Sequence, residues 1–122
     1  MAHPHSRHTI LIVDDSDDIR EIVRDFLEGE GFEVSDARDG AAGLRALEGD
    51  LPCALILDLM MPVMDGWQVL ERLRADPRTA SLPVLVITAA TERHLPAGVP
   101  VLRKPFTASR LLSEIERSLS CR

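Results

Sequence analysis

The sequence predicts an α/β domain built on a parallel sheet of five strands with helices on both faces. Three observations carry that prediction. The first is the stretch Leu55-Ile56-Leu57-Asp58-Leu59-Met60-Met61-Pro62-Val63-Met64-Asp65-Gly66-Trp67, an apolar run that ends on a carboxylate and then turns. Ala54 to Leu57 shows no polar alternation, as suits a strand covered on both faces in the middle of a parallel sheet. The second is that Thr9-Ile10-Leu11-Ile12-Val13 is a similar run ending on Asp14-Asp15, and Pro83-Val84-Leu85-Val86-Ile87-Thr88 another, ending on a hydroxyl. The third is the rhythm of strand and helix signals along the chain, which right-handed crossovers turn into a parallel sheet.

Taken in order, Met1 to His8 reads as a disordered lead-in; His3, His5 and His8 could hold a metal, but a solvated tail is the simpler reading. After the first strand, Ser16 can cap a helix whose first turn holds Asp17 and Asp18, with Ile19, Ile22, Val23, Phe26 and Leu27 as one apolar stripe. Gly29 and Gly31 stop it. Phe32 to Ala37 alternates as a strand near a sheet edge does, and Gly40 introduces Ala41, Leu44 and Leu47 at helical spacing. The Asp58 strand follows. Beyond Asp65-Gly66, Val69, Leu70 and Leu73 stripe a helix that Asp76-Pro77 ends, with Trp67 off the stripe and partly exposed. Thr91 to Gly98 contains Pro96 and little apolar periodicity, so any helix there is short or missing. Pro100 to Lys104 is a brief fifth strand, and Pro105-Phe106 leads into a helix striped by Leu111, Leu112, Ile115 and Leu119.

The 122 residues, 45% hydrophobic and 28% charged, suit one domain with a proper core and leave no room for a second. A formal net charge of −6 argues against general nucleic-acid or anionic-membrane binding and favours cations or basic surfaces. No stretch approaches a membrane span and the first residues lack the apolar segment of a signal peptide, so a cytoplasmic location is expected. Cys53 and Cys121 are far apart in sequence and suggest neither a disulfide framework nor a metal pair.

In an open α/β sheet, ligand chemistry collects beyond the carboxyl ends of the strands. Asp14 and Asp15 follow strand one, Asp58 ends strand three, Thr88 ends strand four and Lys104 ends strand five, so all five should meet on one rim. Each signal alone is weak. Asp58 could merely start a loop, helix N-termini attract acids, and threonine is common in strands. Together they are specific. Three clustered carboxylates repel unless a cation sits among them, and Mg2+, an oxygen-seeking ion that keeps several waters and often binds phosphate, is the expected occupant. Thr88 can donate to a phosphoryl oxygen. Lys104, the only lysine in a chain whose other basic positions are all arginine, brings a compact positive charge.

Val13-Asp14-Asp15, Leu57-Asp58 with Met61-Pro62 and Met64-Asp65-Gly66 after it, Thr88-Ala89 and Lys104-Pro105-Phe106 together resemble the receiver (CheY-like) domain of bacterial two-component response regulators. The resemblance runs from Thr9 to Leu119, and it implies the doubly wound flavodoxin-like fold with strand order 2-1-3-4-5. It further implies that Asp58 is the phosphoacceptor of a phosphorelay, attacking the phosphohistidine of a sensor histidine kinase or phosphotransfer protein, or a small phosphodonor. Asp15 would then bind Mg2+ directly, Asp14 largely through water, and the Met60 backbone carbonyl would be a further ligand. Thr88 and Lys104 would hold the phosphoryl oxygens and report phosphorylation to the surface, where an unidentified downstream protein reads it. Pro105 would follow a cis peptide that aims Lys104 into the site. The expected organisation is a receiver over residues 9–120 with no output domain, a signalling domain with only self-catalysed phosphorylation and dephosphorylation.

Three departures from the family pattern stand out. Val101 occupies a position, three before Lys104, where an aromatic switch residue is common. The segment Ala90 to Pro100 is short, leaving little of the helix between strands four and five. Met60 and Ala90 occupy two positions that tune hydrolysis of the aspartyl phosphate, and neither side chain can orient a water, which suggests a long-lived phosphoryl group. The first two departures keep open an alternative, a phosphorylation-independent scaffold or pseudo-receiver that binds a partner protein. A Mg2+-dependent phosphatase would want an acid where Met60 stands, and a flavin carrier would not place Asp14-Asp15 where a cofactor phosphate binds.

Overall fold

The structure, a computed structural model, describes residues 8–89 and 95–120. Strands β1 (Thr9–Val13), β2 (Glu33–Ala37), β3 (Ala54–Asp58), β4 (Val84–Thr88) and β5 (Val101–Arg103) form one sheet in the order β2-β1-β3-β4-β5. Every neighbouring pair is parallel. Helices α1 (Asp17–Gly29), α2 (Gly40–Ala46), α3 (Gly66–Ala75) and α4 (Ala108–Ser120) supply the covering layers.

The apolar runs are continuous because both faces of the central strands are buried. Ile10, Ile12, Ile56, Leu85 and Ile87 pack on one side with Val23 and Leu27 of α1 and Leu111 and Ile115 of α4. Leu11, Val13, Leu55, Leu57 and Val86 pack on the other with Leu47 and with Val69, Leu70 and Leu73 of α3. Successive residues of a strand point to opposite faces, so each run feeds two cores in alternation.

Side chains cap the starts of three helices, Ser16 as expected. Ser16 Oγ accepts from Ile19 N at 3.2 Å, and Asp39 Oδ1 accepts from Ala42 N at 2.7 Å. Asp65 closes a capping box with Gln68 at the start of α3. Gly31, with φ of 97°, takes the left-handed conformation just past α1.

Three details differ from expectation. Ile22, placed in the α1 stripe, is 62% exposed, and Ile19, Val23, Phe26 and Leu27 make the contact instead. The fifth strand is shorter than Pro100 to Lys104, ending at Arg103 before the cis Lys104–Pro105 bond. Between β4 and β5, where a short or missing helix is expected, the described residues form none. His8 belongs to the ordered chain: its carbonyl accepts from Glu33 N at 3.0 Å and its ring stacks on Phe32 at 6.3 Å between centroids. His3, His5, Ala90 and Cys121 lie outside the described residues.

Candidate active site at the carboxyl rim of the sheet

Register brings the acids together. Val13 pairs with Leu57, so the next residues, Asp14 and Asp58, leave β1 and β3 side by side at the point where the sheet order reverses. Thr88 pairs with Arg103, so Lys104 is the residue that follows that pairing, and its backbone N–H donates to the Thr88 carbonyl at 2.8 Å.

Asp14 is fully buried and engaged through both oxygens: Oδ1 accepts from Ser16 N at 2.9 Å and Oδ2 from Lys104 Nζ at 2.9 Å. Asp58 is 2% exposed; its Oδ1 accepts from Met60 N at 3.2 Å and its Oδ2 lies 3.5 Å from Lys104 Nζ. Asp15 is exposed. One carboxylate oxygen from each of the three acids falls within 4.8 Å of the others. Thr88 is buried at the end of β4, and Lys104 is mostly buried between two acids.

This crowding raises the pKa of Asp58 from 3.8 to about 6. Burial is the largest cause and the neighbouring Asp14 charge the next; Lys104 and the Met60 N–H act in the opposite direction, and Asp15 adds a smaller increase. One ammonium beside a cluster of three carboxylates leaves excess negative charge on an all-oxygen donor set. Such a set fits a hard divalent ion that retains water, and Mg2+ answers that description.

The loop after Asp58 is seated by α3. Gly66 N donates to Leu59 O at 3.0 Å, and a Cβ on Gly66 would stand 2.7 Å from the Leu59 Cα and closer still to the Asp58 carbonyl. Only glycine permits that approach. Met60 stands out from this loop, 46% exposed. Val101 is half-buried against the face covered by α2 and α3, and Pro105 completes the cis bond beside Lys104.

One residue that sequence patterns do not single out also reaches the site. Arg20 of α1 donates from Nη1 to the Asp14 carbonyl at 2.8 Å, from Nε to Asp36 Oδ2 at 3.3 Å, and pairs with Asp17. Its partner Asp36 is sixteen positions away on β2, a separation no local motif encodes.

Residues 10–116 match the sequence profile of the response regulator receiver domain. The DNA-binding dual master transcriptional regulator RpaA of Synechocystis is 39% identical over 117 residues, covering 90% of this chain. The chain spans 48% of that protein's length. Among solved structures, the signal receiver domain of a signal transduction histidine kinase from Syntrophus aciditrophicus has a TM-score of 0.87 at 30% identity, covering 93% of this chain and 91% of its own. The response regulator TrrA from Thermotoga maritima, solved in complex with Mg2+ and BeF, has a TM-score of 0.83 at 25% identity, covering 92% of this chain and 99% of its own. The chain belongs to the response regulator receiver domain family of two-component systems. No helix among its described residues is long and apolar enough to cross a membrane.

Proposed function

We propose that the domain is a phosphorylation switch in which Asp58 accepts a phosphoryl group from a histidine kinase or phosphotransfer protein, or from a small phosphodonor. A carboxylate oxygen of Asp58 forms the new P–O bond, and the P–N bond of the phosphohistidine breaks with its electrons passing to the imidazole. The observation that carries this reading is the buried Asp58 carboxylate held between Lys104 and two further acids.

Mg2+ bound at the rim would supply positive charge to the oxygens of the phosphoryl group in transfer. Asp15, exposed, and the Met60 backbone carbonyl are suited to direct ligation. Asp14, with both oxygens already engaged, is suited to holding the ion through water. Thr88 and Lys104 then take the phosphoryl oxygens, Lys104 exchanging part of its contact with Asp14 for the incoming negative charge. A downstream protein reads the altered surface in the cytoplasm. The relative RpaA is named as DNA-binding, whereas the net charge of −6 here disfavours a nucleic-acid surface on this domain.

Intact-mass measurement after incubation with Mg2+ and acetyl phosphate tests the proposal. A single phosphate adduct that disappears in Asp58→Ala is expected. Absence of any adduct, with kinase or small donor, would favour a scaffold that works unphosphorylated.

A further inference from the structure

We propose that Arg20 is a positioning residue for the metal site, acting through the peptide unit that joins Asp14 to Asp15. This rests on the reading of Asp14, Asp15 and Asp58 as a Mg2+ site. The carbonyl of Asp14 and the amide nitrogen of Asp15 share one rigid plane. A donor fixed on that carbonyl therefore holds the plane and with it the Asp15 Cα, the point from which the Asp15 side chain departs. Arg20 Nη1 is such a donor, 2.8 Å from the oxygen.

The other two guanidinium nitrogens are held elsewhere. Nε donates to Asp36 on the edge strand β2, and Nη2 pairs with Asp17 in the first turn of α1. With its side chain only 14% exposed, Arg20 fastens three elements at once: the acidic loop, the start of α1 and the end of β2. Its charge faces two carboxylates, so its influence on the rim is geometric more than electrostatic. A planar fork can meet acceptors in three directions from one side chain; a lysine at the same place would keep the charge and lose the fork.

Arg24 supplies an internal control. It lies one turn further along α1 and reaches the same Asp36, Nη2 to Oδ1 at 3.0 Å, yet makes no hydrogen bond to the Asp14 carbonyl among the described residues. Both arginines strengthen the seam between α1 and β2. Only Arg20 extends that seam to the acidic loop.

Calorimetric titration of the unphosphorylated protein with MgCl2 separates these roles. Arg20→Met and Arg20→Lys are each expected to weaken Mg2+ binding by about tenfold, and Arg24→Met by less than about twofold. Raising Mg2+ to saturation should restore the rate of phosphorylation from acetyl phosphate in the Arg20 variants, since Asp58, Thr88 and Lys104 are untouched. Should Arg20→Met fail to fold, Arg20→Lys, which keeps the buried charge paired, carries the test. A wild-type protein that takes up no Mg2+ overturns the metal reading itself. Wild-type binding with unchanged affinity in the Arg20 variants overturns the positioning role alone, as does an equal loss in Arg24→Met, which would trace the effect to the seam.

Discussion

Lys104 Nζ sits 2.9 Å from Asp14 and 3.5 Å from Asp58, close enough to both that a small movement of one side chain changes which acid it serves. At the same scale, Met60 stands on the solvent side of the loop that follows Asp58. It follows Asp58 by two positions, stands 46% exposed, and offers a thioether that cannot orient a water for attack on phosphorus. Met60→Asn restores a polar group there and is expected to shorten the lifetime of the aspartyl phosphate by on the order of tenfold. Decay of the phosphate adduct, followed by intact mass in the two proteins, measures this. An unchanged lifetime would exclude a role for Met60 in setting the rate of hydrolysis.

Helix α3 anchors the loop that carries Met60. Asp65 Oδ1 accepts from Gln68 N at 2.9 Å, and Gln68 Oε1 accepts from Asp65 N at 3.0 Å, which closes the first turn and presents Gly66 N to Leu59 O. Asp65→Ala should cost about 1 kcal/mol, a fall of about 4 °C in melting temperature. Because Gly66 packs directly on the Asp58–Leu59 backbone, the same variant should also phosphorylate more slowly than wild type. A melting shift with an unaltered rate would mean that the cap serves α3 alone. In α1, Ile22 lies about 80–90° from the centre of the contact stripe at roughly 100° per residue. Periodicity admits it to the stripe. α1 packs on β1, β2 and α4, and Ile22 falls outside the surface they offer, whose extent is a tertiary quantity.

For the molecule as a whole, the shifted Asp58 couples folding to pH and to metal. The folded carboxyl, with a pKa of about 6 against 3.8, holds its proton more tightly than the unfolded one. The stability this group contributes is fully present below the unfolded value, is lost as pH rises toward about 6, and changes no further above it. Metal binding requires the ionised form, so Mg2+ should raise the melting temperature more at about pH 8 than at about pH 5. Asp58→Asn should be more stable than wild type without metal at the higher pH and should lose much of the Mg2+ effect. Thermal unfolding of both proteins with and without Mg2+ checks this. A wild-type Mg2+ increment equal at the two pH values would contradict the coupling.

Much of this architecture follows from residue order alone. The buried strands read as such because apolar runs ending in Asp14-Asp15, Asp58 and Thr88 cannot face water on either side, and the cap Ser16 is a local signal. The meeting of Asp14, Asp58, Thr88 and Lys104 was legible as well, since parallel strands deliver their carboxyl ends to one rim. Only packing decided the exposure of Ile22 and the division of Lys104 between two acids. The same is true of the reach of Arg20 to a carbonyl and to Asp36. These depend on distances between segments remote in sequence, and periodicity constrains which face a residue occupies without fixing how far it stands from its partner.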